Sequence, residues 1–433
     1  MTSASESQEI ERYFDRLWPL LRSITGAGVR ETHDILSELV PLDRYEVPSG
    51  TAVLDWTVPE EWRVNEAYLL GPDGHRVLDI CDNNLHLLNY SAPFNGIMSR
   101  AELDEHLFSL PEQPDAIPYR TSYYRRQWGF CLAHRAREAL PDGDYRVVID
   151  TEHFAGSLTL SEAVLEGESD EEVLFTTYTC HPSLALNELS GPLLTAFLYR
   201  RIAAWPRRRL TYRFVFGPET IGSICYLAMR GDEMRERLRA GYIVTCVGDD
   251  GDYRLKLSRR GNSVADRAAR NVLKDLPHEA VEFGPSGSDE RQYCSIGFNL
   301  PVASITRTAY GKYPGYHNSG DDKLLMDFAA MTGTLDTYER IARVLDLNER
   351  VRNKVVLGEP HMSKYGELYP TVSQGYPGDH AMALKWLIHF ADGENDLLAI
   401  SNRSGLPVEL LAEVVDAVVK AGLFERLGSA DAV

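Results

Sequence analysis

Residues 173–204 read VLFTTYTCHPSLALNELSGPLLTAFLYRRIAA, a strand, a turn and a helix in that order. Val173–Tyr178 is an unbroken run of apolar and β-branched residues, the pattern of a buried strand. Pro192–Ala204 has the apolar spacing of a helix. Between them, Tyr178–Gly191 places His181 at a strand end, a position suited to metal binding or acid–base work. Taken alone, a loop histidine bonded to the backbone explains His181 equally well.

The same alternation continues outward. Val147–Ile149, Leu210–Phe216, Ile243–Val247 and Val302–Ile305 read as strands, with helices at Ile221–Met229, Ser263–Leu273 and Asp322–Leu345. Such an order predicts an α/β fold with a mostly parallel sheet and helices on both faces. Ligand sites in these sheets lie at the carboxyl ends of strands. The runs ending at Tyr178, Phe216 and Val247 are each followed by polar, potentially reactive residues.

Two helices are expected over residues 7–41, divided at Gly26-Ala27-Gly28. From Tyr45 to about Tyr124 the character changes to short β-like runs, Val53–Pro59, Ala67–Leu70, Val77–Ile80 and Leu85–Tyr90. The expected organisation is a core of residues 1–45 and 127–355, an inserted small β-domain at 46–126, and a C-terminal winged-helix domain at 360–433. The last is read from helices at Ala381–Phe390, Leu397–Ser404 and Pro407–Ala421 and a strand at Leu423–Leu427, after a Pro- and Tyr-rich link at Glu359–Pro377. Its third helix carries Glu409, Glu413 and Asp416 against one Lys420, so no nucleic-acid partner is expected.

Composition agrees with that exclusion. The 433 residues carry a formal charge of −19, which repels nucleic acid in bulk. No apolar run reaches the ~18–20 residues of a membrane span, and the first residues lack a signal-peptide core. A soluble cytoplasmic protein is expected, with homo-oligomerisation left open. The six cysteines are scattered, with no C-x-x-C pair, and read as reduced core residues. No G-x-S-x-G, Walker or dinucleotide fingerprint is present.

Four further clusters could carry chemistry. Glu219 in Phe216–Ser223 sits where a strand enters a helix, and the helix dipole favours its anionic form. Cys246–Asp252 contains Asp249, with Arg259 and Arg260 downstream. Gly287–Tyr293 contains Asp289 and Arg291. Tyr310–Asp322 places His317 in a Gly- and Tyr-rich loop.

The motifs Pro48–Thr51, Asp55–Pro59, Asn84–His86, Ser122–Tyr124, Cys180–Ser183, Pro218–Ser223, Ser288–Tyr293 and Tyr316–Ser319 run nearly the full length of the chain. In them the sequence resembles a bacterial aminopeptidase-like family. That family belongs with the zinc exopeptidases related to leucyl aminopeptidase and glutamate carboxypeptidase, and has an inserted β-domain and a C-terminal winged helix. The resemblance implies metal ligands at His181, at the bridging position Asn187, at Asp249 and at His317, with Glu219 as general base. It departs from the pattern where the bridging aspartate is Asn187, followed by Glu188, and where a ligand glutamate is Thr220. A neutral amide is a poor bridge between two dications, so at most one zinc ion per chain, or none, is expected, with Glu188 a substitute ligand.

The implied activity is hydrolysis of an amide beside a free amino group in a small amino-acid or peptide-like substrate. The alternative is a metal-poor homologue that binds an amino-acid-like ligand or a partner, or does non-hydrolytic chemistry. Substrate contacts are expected from Asp289, Arg291, Arg307, Tyr310, Tyr316, Tyr123 and Tyr124. Tyr119, Tyr123, Tyr124 and Trp128 are a candidate lid, and the β-module's own core is the competing role for them.

Overall fold

Every residue of strand Glu172–Tyr178 is buried, and its side chains alternate between two cores. Val173 and Phe175 enter one, Leu174 the other. Strand Thr211–Gly217 sends Tyr212, Phe214 and Phe216 to the first core and Val215 to the second. This is the period-two consequence of a pleated strand covered on both faces. The computed structural model describes residues 3–368 and 378–428. Residues 369–377 of the expected link and 429–433 of the expected winged helix lie outside them.

The main sheet has eight strands in the order Asp43–Pro48, Ser157–Leu165, Thr211–Gly217, Glu172–Tyr178, Leu238–Val244, Val302–Thr306, Tyr253–Lys256, His278–Val281. The strands from Thr211–Gly217 to Val302–Thr306 are mutually parallel. Antiparallel pairings join them to Ser157–Leu165 on one side and Tyr253–Lys256 on the other. The sheet is therefore mixed, and the expected parallel arrangement describes its centre. Helical crossovers force parallel pairing only where a helix returns the chain; Asp43–Pro48 and Ser157–Leu165 meet across the whole intervening module.

Helices Ser3–Leu17, Ser190–Ala203, Val264–Leu273 and Phe328–Leu347 cover one face. Helix Ile221–Arg237 and a separate four-stranded antiparallel sheet cover the other. That smaller sheet runs Arg76–Asp79, Glu61–Leu70, Asp144–Phe154, Phe94–Ser99. Two boundaries differ from those read in the sequence. Val147–Ile149, expected in the core sheet, lies in the small sheet, because a buried run does not reveal its partners. Tyr45, expected at the core's edge, sits inside edge strand Asp43–Pro48 of the main sheet. All six cysteines are free, and all but Cys81 are buried.

At the C-terminus, helices Gly378–Phe390, Leu397–Ser404 and Val408–Lys420 pack with a three-stranded sheet of Asp392–Asp396, Arg350–Asn353 and Phe424–Gly428. The central strand of that sheet precedes residue 360, where the unit was expected to begin. Arg267 clamps it to the core through both oxygens of Asp396, at 2.9 and 2.6 Å.

His33, on helix Ala27–Leu36, is fully buried, with Nδ1 2.8 Å from Ser161 Oγ and Nε2 3.0 Å from Thr179 Oγ1. Burial, reinforced by the Arg44 charge, lowers its pKa from 6.5 to about 3, so it stays neutral and joins two strands to the helix. The unfolded chain takes up this proton first as pH falls. His33 therefore contributes stability fully above about pH 6.5 and loses it progressively towards pH 3. Urea unfolding of wild type and His33→Gln should show a stability gap that narrows over this range. A gap independent of pH would contradict the assignment.

Candidate active site

The carboxyl ends of the central strands converge on one cavity of about 510 Å³, lined by His181, Glu219 and His317. His181 follows strand Glu172–Tyr178, Glu219 follows Thr211–Gly217, and His317 lies in the loop after Val302–Thr306. Tyr119, Tyr123, Arg120 and Arg125, from the segment between strands Phe94–Ser99 and Asp144–Phe154, join the lining.

His181 is held from behind. Its carbonyl accepts from Nε of the fully buried Arg22 at 2.9 Å, and Arg22 Nη1 also donates to Leu17 O at 2.7 Å. Glu188, fully buried, comes within 3.0 Å of His181 Nδ1 and 4.0 Å of Arg22 Nε. The first approach has ion-pair distance without hydrogen-bond alignment, leaving His181 Nδ1 and both Glu188 oxygens without a hydrogen-bond partner. On the cavity side, His181 Nε2 lies 3.4 Å from Glu219 Oε2. Burial opposes charge on His181; Cys180 and Glu188 outweigh it and raise the imidazole pKa well above its ordinary value. The Cys180 thiol is itself pushed up to about 11 by burial, so near neutral pH Glu188 is the anion that counts.

Glu219 accepts from Ser288 Oγ at 2.8 Å, and its own N–H donates to Cys180 Sγ at 3.2 Å. Burial would raise its pKa, but His181 and the Ser288 hydroxyl hold it below the ordinary carboxylate value. The next residue, Thr220, has φ 63° and ψ −73°, and Ile221 N–H donates across it to Glu219 O at 2.8 Å. That is a strained γ-turn. Asp289 braces it, accepting from Thr220 N–H at 2.7 Å and Ser223 Oγ at 2.8 Å.

Asn187 and Glu188 sit on a π-helical turn, Ala185–Leu189, that opens helix Ser190–Ala203. Asp321 organises this turn by accepting from the N–H groups of Leu186 at 2.7 Å and Asn187 at 3.0 Å. Asn187 Nδ2 donates to Tyr178 Oη at 2.9 Å, and its Oδ1 lies 3.1 Å from His317 Nε2. Tyr316 stacks on the His317 ring at 4.0 Å, and Tyr119 meets both imidazoles edge-on. Burial, with the nearby His181 charge, lowers His317 to about 4 and keeps it neutral.

Several expected residues lie elsewhere. Asp249 accepts from Thr308 N–H at 3.2 Å and makes no hydrogen bond or ion pair with His181, Glu188 or Glu219. Cys246, which ends the same run with φ 50°, is the residue that reaches Asn187. Arg307 donates to Thr334 and Gly251 and covers the Tyr253 ring, a packing role. Arg291 bonds Ser288 O, and Asp289 lies behind Glu219 rather than in the cavity. Tyr310 lines a different cavity with Lys256 and Lys312. Tyr124 is half exposed and packs on Trp56; Trp128 stacks on Phe94 and His106 in the module. Tyr123 and Tyr316 remain at the site. The sequence reading missed Arg22, Ser288, Asp321, Arg120 and Arg125. Ser288 and Asp321 stood within noted motifs, whereas the arginines carried no local signal.

The donors facing the cavity stand in two pairs, each at the spacing of neighbouring ligands on a metal ion. Two ligand atoms on an ion bound at about 2.0–2.1 Å stand about 3.3 Å apart in a tetrahedral site. His181 Nε2 and Glu219 Oε2 are 3.4 Å apart, and His317 Nε2 and Asn187 Oδ1 are 3.1 Å apart. Among the described residues, the group of three that brings ligand atoms within 4.8 Å of one another is Cys180, His181 and Glu188. That group is on the buried side of His181, where Arg22 already supplies a cation beside Glu188. Among the described residues, Glu219 is the one carboxylate that lines the cavity.

Proteins of known structure share this architecture. The zinc aminopeptidase BSAP of Bacillus subtilis superposes with a TM-score of 0.59 at 11% identity, covering 78% of this chain and 94% of its own. A peptidase M28 precursor from Shewanella amazonensis gives 0.52 at 12%, covering 80% and 97%. At such identities the likeness is one of fold. Residues 11–348 match the family described as "Domain of unknown function (DUF4910)", and the chain belongs to that family. Residues 349–426 match a winged helix-turn-helix family. A Clostridium acetobutylicum protein, named provisionally as a polysaccharide biosynthesis protein with an aminopeptidase-like domain, is 39% identical over 98% of this chain and 97% of its own. A Clostridium acetobutylicum crystal structure, described provisionally as a peptidase, gives a TM-score of 0.89 at 37% identity, over 98% of this chain and 97% of that one.

Burial, then the Glu219 charge, raises the Asp289 pKa from 3.8 to about 8. Folding must therefore protonate a group that is ionised in the unfolded chain above pH 3.8, and the cost grows up to about pH 8. Asparagine reproduces the protonated form, accepting from Thr220 and donating to Ser223. Asp289→Asn should match wild type in stability near pH 4 and exceed it increasingly towards pH 8. Equal stability at both pH values in urea unfolding would refute this.

Proposed function

We propose that the cavity is an aminopeptidase-like hydrolytic site for a small amino-acid or peptide-like substrate, built around one divalent cation. The observation that carries this reading is the approach of His181 Nε2 and Glu219 Oε2 at 3.4 Å on the wall that also bears His317. His181 and His317 would hold the ion, with Asn187 Oδ1 as a neutral third donor and Asp249 taking no part. A zinc ion there would polarise a carbonyl and lower the pKa of bound water towards ~7.

Glu219, held in its ionised form, takes the proton of the attacking water, and the Ser288 hydroxyl fixes the orientation of its carboxylate. Tyr119 and Tyr316 lock the two imidazole rings. To hold a cation through Nε2, His181 would give up its Nε2 proton and keep the Nδ1 proton that faces Glu188. The second reading, a non-hydrolytic site that binds an amino-acid-like ligand, draws on the amide at Asn187 and the hydroxyl at Thr220 where the resemblance implied carboxylates.

The acidic third helix of the C-terminal unit pairs internally: Glu409 with Arg340, Glu413 with His380, and Asp416 with Arg426. This supports a protein-contact role for the unit over a nucleic-acid one. Among the described residues, no helix is long and apolar enough to cross a membrane.

Metal analysis of protein purified without chelators should give one equivalent of zinc or a similar ion, lost in His181→Ala together with hydrolysis of aminoacyl amides. Glu219→Gln should lower turnover by roughly 10²–10⁴-fold. Two equivalents would overturn the single-cation site. No ion, and no turnover restored by zinc, cobalt or manganese, would favour the non-hydrolytic reading.

A further inference from the structure

We infer that the substrate carries an anionic group, phosphate or carboxylate, received by Arg120 and Arg125 at the module side of the cavity. The inference rests on the reading of this cavity as the substrate site. Both arginines line it together with His181, Glu219 and His317. Arg126, next to Arg125 in the chain, is paired with Glu60. Arg120 and Arg125 form no salt bridge among the described residues, and the Arg120 guanidinium lies 5.2 Å above the Phe108 ring, which also lines the cavity.

The charge around the cavity therefore runs against the charge of the molecule. The chain as a whole carries −19. Among the described residues, the cavity lining carries two guanidiniums against the one carboxylate of Glu219. Behind His181, the Glu188 charge is countered by Arg22. A positive concavity in an acidic protein focuses the field on anions and excludes cations. Guanidinium donors suit the paired oxygens of phosphate and carboxylate.

The same lining holds Glu219 and the two arginines, so a ligand in the cavity is sorted by charge. The anionic end faces Arg120 and Arg125, and the end to be cleaved faces Glu219 and the imidazoles. The role expected of Arg291 and Arg307 thus passes to two residues of the β-module, which acts as the specificity element of the site. Tyr123, whose hydroxyl is 3.0 Å from that of Tyr119 and 3.1 Å from Asn89 Oδ1, is held with Tyr119 as the aromatic part of the lining.

The test is direct binding by calorimetry, which needs no turnover. Pyrophosphate and citrate serve as probes for the phosphate and carboxylate arms, on wild type, Arg120→Ala/Arg125→Ala, Arg126→Ala and Glu219→Gln. At least one probe should bind wild type, and bind less tightly as salt rises. The double variant should weaken that binding by at least about tenfold, while Arg126→Ala keeps it and Glu219→Gln, which removes the cavity's like charge, binds at least as tightly. The probe that binds more tightly identifies the anion. Wild-type affinity in the double variant would overturn the inference, as would failure of both probes to bind wild type. Loss of turnover in Glu219→Gln with anion binding intact would separate the two readings of the cavity.

Discussion

Arg22 is the residue on which the site is built. Its guanidinium, wholly buried, joins the end of the first helix at Leu17 to the backbone of His181 and to the Glu188 carboxylate. A buried cation is tolerated only where carbonyls and a counter-charge meet it. Removing it would leave the buried Glu188 with the His181 imidazole as its one remaining counter-charge among the described residues. The first helix, the turn after strand Glu172–Tyr178 and the helix that begins at Ser190 therefore behave as one body. His181 Nε2 is left pointing at Glu219.

Around this anchor the backbone is bent out of its ordinary conformations. Ser183, Thr220, Cys246 and His317 all have positive φ without being glycine. Each follows or lies between the central strands, and each lets the chain turn sharply enough to aim a neighbouring group inward. Such strain persists only where surrounding bonds over-determine it. Asp289 does this for Thr220, and Asp321, with Tyr313 donating to it at 2.8 Å, does it for the turn that carries Asn187. Two buried carboxylates thus act as braces, and the cavity keeps only Glu219 for chemistry.

Much of the central sheet is legible in the chain because fully covered strands are written as continuous apolar runs, as at Val173–Tyr178. His181, Glu219 and His317 are legible for a related reason, since each is a polar residue just beyond such a run or in the loop that follows it. The failures are equally physical. Asp249 and Cys246 follow one strand, and which of them faces Asn187 depends on the left-handed turn at Cys246. Val147–Ile149 has the composition of a central strand, yet it pairs with Glu61–Leu70 and Phe94–Ser99. Arg22 is 159 residues from the carbonyl it binds, beyond any local pattern.

The sequence by itself determined the α/β alternation, the strand ends at which reactive groups stand, and the loss of two expected carboxylates at Asn187 and Thr220. The first two are properties of residue type and spacing, which periodicity makes visible; the third is visible only against the family that the motifs resemble. Only the tertiary structure decided which strands are antiparallel, that Glu188 backs His181 while Arg22 compensates it, and that Arg120 and Arg125 close the cavity. Those outcomes depend on pairings between distant segments. Their energies come from burial and from counter-charges that exist only once the chain has folded.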